Sequence, residues 1–275
     1  MNLKAKSFAL RQDVLEMVYR AKTGHIGGDF SVCDILNVLY NRVMNVTPEN
    51  FSSPDHDRFV LSKGHSVEAL YAVLCDQGFF PKSDLETFSQ FGSKYIGHPN
   101  NKVNGIEMNS GSLGHGLSVG VGMALAGKRR NAPYRVYVVM GDGELAEGSV
   151  WEGAMAGGHY KLSNLCAVVD RNRLQISGGT EEVMSQDSQD DRWTAFGWNV
   201  LHASGNDTEA LEQVFAKARA CEEKPTVILA DTVKGYGVSF MENQAAWHHK
   251  VPTEEEYQKA LEELKAKEKG ALGHE

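Results

Sequence analysis

A chain of 275 residues with 41% hydrophobic and 23% charged residues is long enough to bury a full α/β core and has an ordinary globular make-up. Its 28 basic and 36 acidic residues leave a net charge of −8, and its densest basic cluster, Lys128-Arg129-Arg130, reads as a helix end, which argues against a nucleic-acid surface. The N-terminus is a charged amphipathic pattern rather than a signal peptide, no stretch approaches a membrane span, and Cys33, Cys75, Cys166 and Cys221 are scattered without metal-like spacing. A cytoplasmic protein with reduced, buried thiols is expected.

In chain order, residues 3–22 predict a helix stopped by Gly24, and 31–44 a second helix with Ser31 as its N-cap. A short strand follows at 58–62, then a helix at 66–78 and a loop-rich stretch at 79–111. Residues 112–130 have helical spacing but many glycines, which are costly inside a helix and point to close packing or a nearby ligand. Continuous apolar strands at 135–141 and 164–170 flank a helix near 148–162, on which Trp151 and Tyr160 read as core. Strands at 198–203 and 226–232 flank a helix at 207–221, and 254–270 reads as a solvated terminal helix. Apolar strands alternating with helices predict an α/β fold: a doubly wound, mainly parallel sheet covered on both faces.

Ligands bind such sheets beyond the carboxyl ends of the strands. At one of these ends stands Gly141-Asp142-Gly143, an acid inside a glycine turn that would otherwise offer bare N–H groups to phosphate. A carboxylate there repels a diphosphate unless a divalent cation lies between them. Asp170-Arg171-Asn172 closes the next strand, so Asp142 and Asn172 can converge as a hard-oxygen pair suited to Mg²⁺ or Ca²⁺. Two other readings stand beside this one. An Asp-Gly at a strand end also makes a plain turn or helix cap. "GDGELA" also fits the permissive dinucleotide pattern, with Asp170 where a ribose-binding acid would sit and an NAD-dependent oxidoreductase as its consequence.

The spacing from "GDG" to Asn172 resembles the thiamine diphosphate signature. With it stand "KTGHIGGDFSVCDIL", "DRFVLSKGHSVEALYAVL", "GHPN", "NSGSLGHGLSVGVGMA" and "VKGYGVSFMENQAAWHHK". Together, and in this order over about residues 20–250, these segments look like the N-terminal, diphosphate-binding part of transketolase. The resemblance implies a thiamine diphosphate-binding domain over residues 1–253 and a charged C-terminal helix or tail over 254–275. It implies that Asp142, the Asn172 side chain and the Leu174 carbonyl bind Mg²⁺, with Ca²⁺ or Mn²⁺ as substitutes. It places Gly28, Lys63, His65, Gly111, Ser112, Leu113, Gly141, Asp142, Gly143, Glu144, Asn172, Lys234 and His248 around thiamine diphosphate. His25, His65, His98 and His248 become the catalytic imidazoles facing a sugar, with Lys250 near the same mouth.

Imidazole suits that task, because transfer of a two-carbon ketol unit moves protons on sugar hydroxyls near neutral pH. His115 and His249 stand where the family often has glutamine and glycine and receive no role. His56, His159, His202 and His274 read as surface or ordinary packing. Ile26 replaces a common proline, and residues 187–192 match nothing in the family.

The resemblance ends where a full-length transketolase continues into a pyrimidine-binding domain, which carries an activating glutamate, and a third domain. The glutamates of 254–263 are poor substitutes. The expectation is therefore the N-terminal subunit of a split transketolase that acts on sugar phosphates. Two copies would assemble with two copies of a separately encoded C-terminal subunit, with no nucleic acid and no membrane involved. A deoxyxylulose phosphate synthase-like subunit is the alternative within the same chemistry, against which "LSKGH" and "WHHK" speak. A non-catalytic regulatory subunit is a third, against which the complete histidine set speaks.

Overall fold

The computed structural model describes residues 2–186 and 188–273; Asp187 and His274 lie outside the described residues. Helix α1 (Leu3–Ala21) starts at Asn2, whose side chain accepts the Ala5 N–H at 3.0 Å, and stops at Lys22, which turns left-handed at φ 54° before the expected glycine is reached. Helix α2 (Ile26–Val38) begins well before Ser31 and runs on into a π-turn at Leu39–Val43. The Gly28 and Asp29 N–H groups already bond to the His25 carbonyl at 3.0 and 3.1 Å, so helix forms through a Gly-Gly pair whose propensity argues against it. Ser31 is thus no cap. Its hydroxyl donates inside the fold, to the Gly28 carbonyl at 3.0 Å and to Asp170 at 2.6 Å.

The remaining elements follow the sequence-derived alternation, with some additions. They are β1 (Arg58–Leu61), α3 (Val67–Asp76), α4 (His115–Arg130), β2 (Val136–Gly141), α5 (Gly148–His159) and β3 (Leu165–Arg171). A small antiparallel pair, β4 (Leu174–Gln175) with β5 (Gly178–Gly179), and two short helices, α6 (Thr180–Val183) and α7 (Gln189–Ala195), occupy a stretch the sequence left unassigned. Then come β6 (Asn199–Ser204), α8 (Thr208–Ala220), β7 (Thr226–Asp231) and α9 (Glu254–Leu272).

The main sheet has five parallel strands in the order β1-β2-β3-β7-β6. Its inner strands β2, β3 and β7 are largely apolar and buried because both faces are covered, whereas the edge strand β6 is mixed and part-exposed. On β2, Tyr137 and Val139 join the core made with α1, α2, α3, α8 and α9, while Val136, Val138 and Met140 join the one made with α4 and α5. The fold is the doubly wound parallel sheet the sequence predicted.

Packing revises several smaller expectations. Helix α9 is docked, not simply solvated: Ala260 and Leu264 are buried, and Asn2 and Gln12 of α1 donate to Ala271 O and Glu268 at 2.7 and 2.6 Å. Its many charges conceal a narrow apolar seam at four-residue spacing. Tyr160 is exposed at the end of α5, whereas Trp151 is half-buried with its ring 5.3 Å from that of Trp193. All four cysteines are free; Cys33 and Cys166 are buried, Cys75 and Cys221 only half so. Among the described residues no helix is long and apolar enough to cross a membrane.

The helical glycines serve close packing, as expected. A Cβ on Gly120 of α4 would lie 2.5 Å from Val138, and one on Gly158 of α5 would lie 1.7 Å from the Phe196 carbonyl oxygen. Gly122, by contrast, meets nothing within 4 Å. Urea denaturation should therefore separate the two positions. Gly158→Ala is expected to destabilise by about 1–3 kcal/mol or more, and Gly122→Ala to stabilise by about 0.5–1 kcal/mol. Equal effects of the same sign would contradict the packing described.

Candidate functional site

Four strand ends converge on one cavity. Lys63 follows β1, Gly141-Asp142-Gly143 closes β2, Asn172 follows β3 and Lys234 lies just past β7. With His25 and Gly28 from the start of α2, and His65, Gly111, Leu113, Leu174 and His248 from connecting loops, they line a space of about 500 Å³. A larger cleft of about 860 Å³ lies between the N-termini of α1 and α8, but its wall is acidic, with Asp207, Glu209, Glu212 and Asp231, and carries no imidazole.

The frame of the cavity is Asp170 at the end of β3, fully buried. It accepts from Lys63 Nζ at 2.5 Å, from Ser31 Oγ at 2.6 Å and from the Thr232 hydroxyl. This is a structural carboxylate with its oxygens engaged, and it is not free to take a ribose as the dinucleotide reading required.

The oxygen-bearing groups Asp142 and Asn172 both line the cavity. The Asp142 carboxylate accepts from the Gly143 N–H at 2.8 Å and from the Arg173 N–H. Asn172 Oδ1 accepts from the Leu174 N–H at 3.1 Å, and its Nδ2 donates to Ser31 Oγ at 3.2 Å. Burial, with help from nearby Asp170, pushes the Asp142 carboxyl up to about 6. Among the described residues no cluster of three or more His, Cys, Asp or Glu is disposed to hold a metal. The site's own set is one carboxylate, one amide and the backbone beside them, typical of a hard cation that keeps room for water or phosphate oxygens.

Of the four expected imidazoles His25, His65 and His248 line the same cavity, whereas His98 is exposed and outside its lining, with its ring near that of His25. The His25 ring centroid lies 5.3 Å from that of His65, 5.6 Å from His248 and 6.4 Å from His98. His65 and His248 are 5.3 Å apart. Burial is the largest cause lowering all four. His25 falls to about 4, with His249 and His98 next in effect, and His248 to about 3, with Lys234 next. The cations Lys63 and Lys234 contribute at His25, His65 and His248. Lys234 Nζ, itself buried, lies 3.1 Å from His248 Nδ1 and is lowered to about 8 by burial and by Lys63. These histidines are therefore neutral hydrogen-bonding groups at pH 7.

Not every expected residue faces this space. Ser112 is exposed and does not line the cavity. Glu144 borders it, but its carboxylate is occupied by the Ser62 hydroxyl and by the Gly114 and Gly141 N–H groups at 2.8 and 3.0 Å. His115, His159 and His202 are exposed, the last beside Asp190, and His56 is buried against Glu107. Sequence reasoning missed Gln175, which the β4–β5 turn brings to the cavity wall, and His249, whose ring lies 4.6 Å from that of His25 in the adjoining mouth with Lys250. A second histidine after Trp247 was the available signal.

The residues present fit a metal diphosphate. A Cβ on Gly141 would have nothing nearer than Lys63 Cβ at 3.9 Å, so the glycine leaves that space open at the strand end. A Cβ on Gly28 would stand 2.9 Å from Ser66 Oγ and 3.5 Å from Lys63 Nζ. Among the described residues His25 Nδ1 and Gln175 Oε1 are buried without a hydrogen-bond partner, and both residues line the cavity. The raised Asp142 and the lowered Lys234 describe a site suited to a cation at one place and an anion at the other.

Comparisons with known proteins agree with this chemistry. Residues 4–269 match the family model described as "Transketolase, thiamine diphosphate binding domain". The chain is 52% identical to one subunit of the apulose-4-phosphate transketolase of Phocaeicola vulgatus over 262 residues, 95% of this chain and 93% of that one. It is 40% identical to the 6-deoxy-6-sulfo-D-fructose transketolase subunit SqwG of Clostridium sp., over 96% of each chain. The transketolase structure of Campylobacter jejuni superposes with a TM-score of 0.89 at 29% identity, covering 98% of this chain but 45% of that one. The chain belongs to the transketolase family, and residues 4–269 are its thiamine diphosphate-binding domain.

Proposed function

We propose that this chain is the N-terminal subunit of a split transketolase, which moves a two-carbon ketol unit from a ketose phosphate to an aldose phosphate. The observation that carries the reading is the one cavity whose lining brings together Asp142 and Asn172, His25, His65 and His248, and Lys63 and Lys234. Asp142, Asn172 and the Leu174 carbonyl hold Mg²⁺. Gly28, Gly111, Leu113, Gly141, Gly143, Lys63 and Lys234 receive thiamine diphosphate, which supplies the carbanion-stabilising chemistry when bound. The near full-length match to relatives named as transketolase subunits supports a separately encoded partner carrying the pyrimidine-binding and C-terminal domains, in a cytoplasmic assembly of two copies each. The relative at 52% identity makes apulose 4-phosphate the first ketose donor to test.

Within that assembly the chain's own residues bind, orient and move protons. His25, His65, His98 and His248 face the sugar, where neutral rings accept hydrogen bonds from its hydroxyls and exchange protons with them. Asp142 and the diphosphate, both negative, are compatible at one strand end because Asp142 holds the metal between them.

Three measurements check this reading. Isothermal titration should show Mg²⁺-dependent binding of thiamine diphosphate that weakens about 100-fold or more in Asp142→Ala, a loss of about 2.7 kcal/mol; metal-independent binding of NAD would contradict it. In the assembled complex His98→Ala should lower kcat by about 10²–10⁴-fold, whereas unchanged turnover would favour a regulatory role. Because Lys63 and Lys234 lower His25 and His248, a bound diphosphate that offsets their charge must raise both imidazole pKa values. NMR titration with and without Mg²⁺ and thiamine diphosphate should show that rise, and a fall would contradict the assigned position of the diphosphate.

A further inference from the structure

Directly behind the imidazole wall lies a pair of acids to which the proposed chemistry assigns no task. Asp29, in the first turn of α2, and Glu68, in the first turn of α3, are both completely buried. Asp29 Oδ1 accepts from the Ala69 N–H at 3.0 Å, and Glu68 Oε1 accepts from the His25 N–H at 3.3 Å. Their other oxygens, Asp29 Oδ2 and Glu68 Oε2, are enclosed with no N–H or O–H from the described residues reaching them. The two carboxyl groups are close enough to influence each other, Asp29 also holding the N–H of Ala69, the residue next to Glu68. Two carboxyl groups in such contact need a proton between them, since neither carboxylate can donate.

The contact converges on one peptide. Glu68 holds the N–H of His25, while the carbonyl of His25 accepts the Gly28 and Asp29 N–H groups at 3.0 and 3.1 Å. Gly24 has no room for a side chain, because a Cβ there would lie 2.6 Å from Glu68 Oε1 and 2.5 Å from Val18. The imidazole of His25 is thereby placed with its buried Nδ1 free of protein partners.

We propose that Asp29 and Glu68 form a proton-sharing pair that positions His25, so that loss of the shared proton loosens the His25 peptide and lowers activity at alkaline pH. The inference rests on the reading of His25 as a substrate-facing imidazole. Burial raises both acids, Asp29 to about 7 and Glu68 well above its ordinary value. The charged and titratable groups that face the pair are Lys63 and Lys234 toward the cavity, with Cys33 and Tyr71 on the two helices themselves. The lysines hold one negative charge without removing the proton. A folded-state pKa above the unfolded value means that the folded chain binds more protons in between, so stability falls as pH rises from the ordinary carboxyl range through 7.

Two variants test the pair. Glu68→Gln keeps an acceptor for His25 N–H and gives Asp29 an amide donor that cannot ionise. In the assembled complex, with the partner chain present and a ketose phosphate donor supplied, it should retain activity at neutral pH and carry its alkaline limb upward by about one unit or more. Glu68→Ala removes the acceptor and should lower kcat by about 10²-fold with a much smaller change in KM. On the isolated full chain, thermal melts from pH 6 to 9 should show a decline in Tm for the native sequence that is flatter in Glu68→Gln. That comparison needs no turnover, so it judges the shared proton even if the assigned chemistry fails. An unshifted alkaline limb, an unaltered Tm decline in Glu68→Gln, or a folded Glu68→Ala chain with native kcat would each overturn the proposal.

Discussion

The ion pair between Lys63 and Asp170 is the contact on which the site is hung. Both groups are buried, and the pair joins the end of β1 to the end of β3, while Ser31 and Thr232 bring α2 and the segment after β7 to the same carboxylate. A buried pair of this kind is weak evidence of net stability, but removing one partner leaves an uncompensated charge and costs about 3–5 kcal/mol. Its consequence is geometric. Four stretches of chain that supply cavity residues are fixed to one oxygen pair, and Ser31 passes the constraint to Asn172.

Around that frame the electrostatics divide by wall. Asp142 is an acid that burial and Asp170 push upward, and Lys234 is a cation with a neutral imidazole beside it. A metal diphosphate would suit both, its cation held by Asp142 and its phosphates by Lys234. The histidines gain from the same arrangement. Cations and burial hold them neutral, and neutral rings can bind sugar hydroxyls without competing for the phosphate.

Much of this was legible in the residues. The continuous apolar strands predict a sheet buried on both faces, and the acid in the glycine turn singles out the strand end that lines the cavity. Asp142 and Asn172 line the same cavity, β2 and β3 being neighbours with Gly141 opposite Asp170. What was hidden depended on contacts between distant segments. Ser31 looks like a cap but lies inside α2, since the turn before it is stabilised by Asp170 and Asn172 rather than by local propensity. Asp170 looked free to bind a ribose and is instead the hub. The docking of α9 was masked by charges flanking a two-residue seam. Nothing in their own segments marks Asp29 and Glu68, and only the packing of α2 on α3 makes them a buried pair.

The central claim is that this chain holds one half of a site whose other half is a separate polypeptide. Native mass spectrometry of the tagged chain purified from its own cells tests it most directly. The account predicts a stoichiometric second polypeptide bearing the pyrimidine-binding half, in an assembly of two copies each, with ketol transfer found only in that assembly. Robust ketol transfer by the chain alone, with no second polypeptide present, would contradict it.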